Sequence, residues 1–229
     1  MKIDHITYIN MHYRLDKKEF IENSLDKSNI NYFRTEGVTF SLEEERTKSA
    51  SADTLKVLQR EHHVLGCYTA HKNAINSLIQ QTKSSDGYCL IVEDDLYIHD
   101  NFWEVVKNRL TEQLDNADVI LFDSCNNLVA PCGTNDMVSD KYPVTYRIQP
   151  LNMMFYPHGP DLPRMMFFGT HCVAIHNSKL SYIYDKLNNY KEVMDIDVFY
   201  MLHPDIVTYT LQTNLVFQDR FFDTDIPKR

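Results

Sequence analysis

The first part of the chain alternates between apolar runs of strand type and apolar positions at helical spacing. Residues 3–9 are rich in β-forming residues and predict a strand that ends at Asn10. The following segment, 15–27, carries apolar residues every three or four positions, which predicts a helix. A short second strand is expected at 31–33. This order is typical of the beginning of an α/β fold.

Two helices and a buried strand are predicted next. The charged segment 41–54 is expected to be a mobile surface loop, and the apolar spacing then predicts one helix from Thr54 to Leu65 and another from Gly66 to Thr82. Residues 88–92, YCLIV, form a continuous apolar run of the kind found in strands buried on both faces. Three acidic residues follow at once, at the carboxyl end of that strand: Glu93, Asp94 and Asp95.

The second half of the chain is less regular. A helix at 101–114 and a strand at 118–124 are predicted first. All eight prolines lie beyond residue 130, and their concentration predicts a long irregular segment at 142–164. Its aromatic residues either form walls for a sugar acceptor or pack the loop onto the core. A strand at 167–176 and a helix at 177–187 are expected after it, followed by two short strands, IVTYT and NLVF.

Composition narrows the possible functions. The 229 residues predict a single domain over 1–229, and the net charge of −9 argues against nucleic acid as a partner. No glycine-rich dinucleotide or P-loop motif is present. The five cysteines contain no CxxC pair, which favours a reduced, intracellular protein. No signal peptide and no run of about 20 apolar residues is found, so no transmembrane segment is expected and a cytoplasmic location is predicted.

The three consecutive acids suggest chemistry. Ligands of open α/β sheets collect at the carboxyl ends of strands, and carboxylates placed there suit a hard divalent cation such as Mg²⁺ or Mn²⁺. Such a cation neutralises the charge that develops on a leaving diphosphate. The alternative is an acidic strand end that is merely exposed to water. The adjacent His62 and His63 are assigned to the surface.

Six short blocks, in order along the chain, resemble glycosyltransferase family 25, the group of lipopolysaccharide-biosynthesis and collagen-galactosyltransferase enzymes. The blocks are Ile9-Asn10 with Arg14, Gly66-Cys67 with His71, Ile91-Val92-Glu93-Asp94-Asp95, Phe168-Gly169-Thr170 with Val173-Ala174-Ile175, Asp195-Ile196-Asp197, and Gln218 with Thr224-Asp225-Ile226. Two positions depart from the family pattern. Ala70 replaces the serine that often precedes the histidine, and Thr224 replaces a serine.

The resemblance implies a single-domain glycosyltransferase-A (Rossmann-like) α/β fold with a mostly parallel central sheet. It also implies an inverting hexosyltransferase that uses Mn²⁺ or Mg²⁺ and transfers galactose or glucose from a UDP-sugar to a glycan or glycoprotein acceptor in surface-glycan biosynthesis. Asp95 is then the first metal ligand, with Glu93 as a second. Glu93 and Asp94 are also expected to bind the donor ribose or a metal-bound water.

The remaining site residues follow from the same blocks. Asn10 and Arg14 are expected to receive the nucleotide base and ribose, and Arg14 alternatively serves the diphosphate. His71, Thr170 and Asp225 are assigned to donor binding, although His71 and Asp225 also suit purely structural roles.

The catalytic base is expected at the second acidic block. Asp197 is favoured as the group that removes the acceptor proton, with Asp195 as the alternative. Both also fit as ordinary acids at the start of a helix.

Two other functions stay open. One is a nucleotidyltransferase, although the segment after the first strand lacks the glycine-rich phosphate loop of such enzymes. The other is a glycan-binding, degenerate transferase without turnover, for which the loss of serine at Ala70 leaves room. Slow, metal-dependent hydrolysis of a UDP-sugar distinguishes the hexosyltransferase from these two alternatives.

Overall fold

The computed structural model describes residues 1–40, 52–84, 86–109, 117–122, 136–139, 142–150, 170–189, 195–203, 205–213 and 215–218. Its strands are β1 (Ile3–Asn10), β2 (Tyr32–Glu36), β3 (Tyr88–Glu93), β4 (Leu96–Ile98), β5 (Val119–Leu121), β6 (Asp136–Ser139), β7 (Tyr142–Pro150), β8 (Cys172–His176), β9 (Thr208–Thr213) and β10 (Val216–Gln218). Its α-helices are α1 (Leu15–Leu25), α2 (Ala52–Gln81), α3 (Phe102–Arg109), α4 (Leu180–Asn189) and α5 (Ile196–Leu202).

Eight of these strands form one sheet in the order β2-β1-β3-β8-β5-β9-β7-β6. The pairs β1–β2, β1–β3 and β5–β9 are parallel, whereas β8 and β7 run antiparallel to both of their neighbours. Six of the eight strands therefore point in the same direction. This mixed, mostly parallel sheet with its helices confirms the predicted α/β class and the Rossmann-like arrangement. A separate antiparallel pair is formed by β4 and β10.

Strand β3 lies between two hydrophobic clusters, one on each face of the sheet, as its unbroken apolar run predicts. Leu90 belongs to the cluster that includes Ile21 of α1. Ile91, on the opposite face, belongs to the cluster that includes Leu78 of α2. Because successive side chains of a strand point to opposite faces, a strand covered on both sides needs apolar residues at every position. This double burial fixes the place where β3 ends, and so the place of the acidic residues.

The prediction of two helices between residues 54 and 82 is wrong. The structure has one continuous helix, α2, from Ala52 to Gln81. Gly66 suggests a break, since glycine costs about 1 kcal/mol in a helix interior. Here it is needed for packing: a β-carbon at Gly66 would lie 2.6 Å from the carbonyl oxygen of Val38. Of the predicted surface loop, residues 52–54 belong to α2 and residues 41–51 lie outside the described residues.

The prediction of an irregular segment at 142–164 is also wrong in its first part, because Tyr142–Pro150 is strand β7. Proline is tolerated in a strand at its ends and at bulges. Pro150 is the last residue of β7, and Pro143 lies where the pairing with β6 shifts register between Met137 and Ser139. Residues 151–164 lie outside the described residues. No helix in the described part is both long and apolar enough to cross a membrane.

Candidate active site at the carboxyl ends of the parallel strands

A cavity of about 490 Å³ opens where β1, β2 and β3 end. This volume lies in the range of small-molecule sites, about 300–1,000 Å³. Most of the polar side chains that line it come from β1, α1, α2 and the residues around the end of β3: Asn10, Lys17, His62, His63, Cys67, His71, Glu93, Asp94, Asp95 and His171. Tyr13 and Thr39, from the segments after β1 and β2, line it as well. The sheet topology therefore brings Asn10, His71 and the three predicted carboxylates to one site.

Glu93, the last residue of β3, is held by three neighbours. Its Oε1 lies 3.1 Å from Nε2 of His71 and accepts a hydrogen bond of 3.0 Å from the hydroxyl of Thr170. Its Oε2 lies 3.8 Å from Nε2 of His171. Burial raises the pKa of Glu93, but the charge of His171, the charge and hydrogen bond of His71, and the Thr170 hydrogen bond outweigh it and lower that pKa to about 2. Glu93 is therefore a fixed, ionised carboxylate at neutral pH.

Asp94 has a different environment. Its Oδ2 accepts a 2.8 Å hydrogen bond from Nδ2 of Asn10, and its Oδ1 lies 3.5 Å from Nζ of Lys17. Burial raises the pKa of Asp94 to about 6, although Lys17 and Asn10 act in the opposite direction. Two of the predicted donor-site residues, Asn10 and Asp94, are thus joined directly. Lys17 is a residue of this site that the sequence did not indicate, since a lysine in the first turn of a surface helix is usually solvated.

Among the residues that the structure describes, two groups of side chains are arranged so that their ligand atoms could hold a metal ion. Glu93, Asp95 and His171 form one group, and Cys67, His71 and Glu93 form the other; within each group all ligand atoms lie within 4.8 Å of one another. The first group contains both predicted metal ligands. Its two carboxylates and one imidazole suit Mn²⁺, which accepts oxygen and nitrogen ligands, better than Mg²⁺, which prefers oxygen alone. The residues present therefore fit the divalent cation that the sequence predicts.

His171 was missed by sequence reasoning, although it follows Thr170, which the block match singles out. Its position depends on pairing between distant segments. Strand β8 runs antiparallel to β3, with Val92 opposite Cys172, so the residue before β8 lies beside the end of β3. The backbone N–H of Glu93 donates to the carbonyl oxygen of His171 at 2.8 Å, which continues that pairing by one step.

The second acidic block begins helix α5. Asp195 is the residue before the helix. Oδ1 of Asp197 accepts a hydrogen bond of 2.8 Å from the backbone N–H of Val198. Burial raises the pKa of Asp197 to about 6, and the negative charges of Asp195 and Glu93 act in the same direction. Neither Asp195 nor Asp197 is among the residues that line the cavity.

Arg14 makes local contacts with its side chain. Its Nε and one terminal nitrogen donate to the two carboxylate oxygens of Asp16 at 3.1 Å and 3.0 Å, and its backbone oxygen accepts from Nδ2 of Asn10. Arg14 is not among the residues that line the cavity, and Thr170 reaches the site through Glu93. The predicted donor residue Asp225 lies outside the described residues.

His62 and His63, assigned to the surface, are partly exposed, and both line the cavity. They lie on the part of α2 that packs against residues 37–40, the segment after β2. Nδ1 of His62 is 3.2 Å from the carbonyl oxygen of Phe40. Neither histidine belongs to the two candidate metal groups of the described residues.

Sequence comparison gives the class of enzyme. Residues 3–131 match the family described as "Glycosyltransferase family 25 (LPS biosynthesis protein)". The match covers more than half of the chain and includes Asn10, His71 and the three carboxylates, so the enzyme is a glycosyltransferase. The chain belongs to glycosyltransferase family 25. The resembling blocks around Thr170, Asp197 and Asp225 lie beyond the matched residues.

The solved structures of similar shape include two glycosyltransferases. One is a glycosyltransferase involved in the glycosylation of the major capsid of PBCV-1, with 14% identity, a TM-score of 0.49, and coverage of 92% of this chain and 83% of that one. The other is the apo form of the glycosyltransferase GlyE of Streptococcus pneumoniae TIGR4, with 12% identity, a TM-score of 0.46, and coverage of 100% and 56%. No curated protein matches the chain significantly in sequence. Because both TM-scores lie below 0.5, the fold assignment stands on the sheet topology and the family match.

Proposed function

We propose that this glycosyltransferase is metal-dependent and inverting, and that it transfers a hexose, galactose or glucose, from a UDP-sugar to a glycan or glycoprotein acceptor in surface-glycan biosynthesis. The observation that carries the proposal is the group of Glu93, Asp95 and His171 beside a cavity at the carboxyl ends of parallel strands. This is where α/β sheets bind nucleotides. The cytoplasmic location expected from the sequence stays a prediction.

In this proposal Glu93, Asp95 and His171 hold the cation, with Mn²⁺ favoured by the mixed oxygen and nitrogen ligands. When bound, the cation supplies positive charge that neutralises the leaving diphosphate. Thr170 and His71 fix the orientation of Glu93 through their hydrogen bonds to its Oε1. Such outer partners of a ligand keep its geometry and charge constant.

The donor occupies the cavity in this proposal. Asn10 is 1% exposed, and its Oδ1 has no hydrogen-bond partner among the described residues. A buried amide oxygen without a partner is costly, and a hydroxyl of the donor ribose or an N–H of the base would satisfy it. Asp94 holds the other end of the same amide group in place. Arg14, His71, Thr170 and Asp225 remain assigned to the donor as predicted.

The transfer step needs a base for the acceptor. We assign this role to Asp197, with Asp195 as the alternative. The acceptor oxygen forms a bond to the anomeric carbon, the bond from that carbon to the diphosphate oxygen breaks, and the acceptor proton passes to the Asp197 carboxylate. A base whose pKa of about 6 lies near the working pH is ionised and still takes the proton effectively.

Thermal unfolding with a panel of UDP- and GDP-sugars, with and without Mn²⁺, tests the proposal. A ligand at about 100 times its Kd stabilises the native state by about 2.7 kcal/mol. We expect one UDP-sugar to raise the unfolding temperature only when Mn²⁺ is present. Asp95→Asn is expected to lose this response and transfer activity, whereas Asp100→Asn, at an exposed aspartate paired with Lys27, keeps both.

Two outcomes contradict the proposal. Release of pyrophosphate from a nucleoside triphosphate and a sugar phosphate would point to a nucleotidyltransferase. Absence of any nucleotide response in the presence of Mn²⁺ would point to a glycan-binding, degenerate transferase.

A further inference from the structure

The inner wall of the cavity holds a second set of possible metal ligands, with a sulfur atom among them. Cys67 and His71 are four residues apart on α2, so their side chains lie on the same face of the helix. Both face Glu93 at the end of β3. Sγ of Cys67 is 3.9 Å from Oε1 of Glu93, and Nε2 of His71 is 3.1 Å from the same oxygen.

These distances are close to those of a tetrahedral zinc site. With bonds of about 2.3 Å to sulfur and about 2.0 Å to nitrogen and oxygen, tetrahedral geometry places sulfur about 3.5 Å and nitrogen about 3.3 Å from the oxygen ligand. The observed separations differ from these values by a few tenths of an ångström. All three ligand atoms lie within 4.8 Å of one another. Small side-chain rotations are enough to close the three atoms around one ion.

The two carboxylate oxygens of Glu93 face the two different groups of candidate metal ligands. Oε1 is directed towards Cys67 and His71, and Oε2 is 3.8 Å from Nε2 of His171 in the other group. We propose that Cys67, His71 and Glu93 form a second cation site that prefers thiophilic divalent metals such as Zn²⁺ and Cd²⁺. Thiolate and imidazole ligands favour these ions over Mg²⁺ and Mn²⁺. The site shares Glu93 with the proposed Mn²⁺ site.

The surroundings distinguish this thiol from the other cysteines that the structure describes. Cys89 and Cys172 are both fully buried, and they belong to the hydrophobic clusters around β3. Cys67 lines the cavity, so an ion can reach it from solvent. The inference goes beyond the proposed function and stands without it, because it requires neither a nucleotide nor turnover.

Titration of the full, metal-free chain with Cd²⁺ tests the site, with the ultraviolet charge-transfer band of a cadmium thiolate as the signal. We expect a band that saturates at about one equivalent of Cd²⁺ and is lost in Cys67→Ser. The matched control Cys89→Ala keeps the band. Thermal unfolding of each metal-free variant checks that it folds, and Zn²⁺ is expected to raise the unfolding temperature of the wild type but not of Cys67→Ser.

A second variant keeps the thiol in place. His71→Gln removes the imidazole ligand, and we expect its Cd²⁺ affinity to fall by more than the roughly 10- to 100-fold typical of losing an outer-sphere partner. Two results would overturn the site: no thiolate band in the wild type at one equivalent of Cd²⁺, or a band that persists unchanged in Cys67→Ser. Because no UDP-sugar is used, neither result bears on the transferase proposal.

Discussion

Nζ of Lys17 lies 3.5 Å from Oδ1 of Asp94, and both side chains are almost completely buried. The same ammonium group is 4.0 Å from Oδ2 of Asp95. Asn10 donates to the other oxygen of Asp94. The middle carboxylate of the acidic triplet is therefore occupied by groups of the protein itself. Asp94 thus differs from Glu93 and Asp95, which together with His171 form the group proposed to hold the cation.

We predict that Lys17→Met strongly destabilises the protein. Removal of one partner of a buried ion pair leaves an uncompensated charge and typically costs about 3–5 kcal/mol. The free energy of unfolding, measured with urea at neutral pH, gives the size of the effect. The neighbouring Lys18→Met is the control, since Lys18 is only partly buried and pairs weakly with Glu22 across one helical turn. Its effect is expected to stay below about 0.5 kcal/mol. Equal losses in the two variants would contradict a structural ion pair at Asp94.

The hydrogen bond from Thr170 to Glu93 leads to a prediction about metal affinity. Thr170→Val keeps the shape of the side chain but removes the hydroxyl that donates to Oε1 at 3.0 Å. Loss of such a partner typically lowers metal affinity about 10- to 100-fold. Isothermal titration with Mn²⁺ measures the change.

Thr208→Val is the matched control for this measurement. Thr208 is also buried, and its hydroxyl donates to the backbone oxygen of Tyr200 at 2.9 Å. We expect Thr208→Val to cost stability, about 1–3 kcal/mol for the unsatisfied carbonyl, and to leave Mn²⁺ affinity unchanged. Equal Mn²⁺ affinities of the Thr170 and Thr208 variants would show that Thr170 does not support a ligand.

The acidic triplet is the part of the site that the sequence predicts best. An apolar run such as YCLIV can be buried on both faces only as an inner strand, so the position of Glu93 at its end follows from local pattern. Asn10 is placed by the same reasoning at the end of β1, which pairs in parallel with β3 and has Ile9 opposite Glu93.

The rest of the site depends on contacts between distant parts of the chain. His171 reaches Glu93 only because β8 enters the sheet antiparallel beside β3, and one sequence contains no local signal for that register. Lys17 has the pattern of an exposed helix position and is nonetheless buried by the end of β3. The continuous helix through Gly66 was missed for a similar reason, because the packing that offsets its low helix propensity comes from Val38.

Gly66 therefore offers a test of how α2 forms the wall of the cavity. A β-carbon there would lie 2.6 Å from the backbone oxygen of Val38, and backbone cannot rotate away. We predict that Gly66→Ala displaces the segment after β2, lowers the free energy of unfolding by about 1–3 kcal/mol and weakens nucleotide binding. Gly37→Ala is the control, because its β-carbon would meet chiefly the flexible side chain of Met11. Thermal unfolding with and without UDP compares the two, and a milder effect at Gly66 than at Gly37 would contradict the packing explanation.

The buried carboxyl of Asp197 predicts a pH dependence of stability. Its pKa is raised from 3.8 to about 6, first of all by burial. The native state therefore holds this proton more tightly than the unfolded chain, and the free energy of unfolding falls as pH rises between about 4 and 6. The contribution is complete below pH 3.8 and lost above pH 6.

Asp197→Asn cannot ionise, so we expect it to gain stability relative to the wild type across this interval, by at most about 3 kcal/mol. Urea unfolding at pH 4, 5, 6 and 7 measures the difference, with Asp185→Asn, at an exposed position of α4, as the control. A constant difference between Asp197→Asn and the wild type would mean that Asp197 titrates alike in the folded and unfolded chains, and it would remove the basis for a base with a raised pKa.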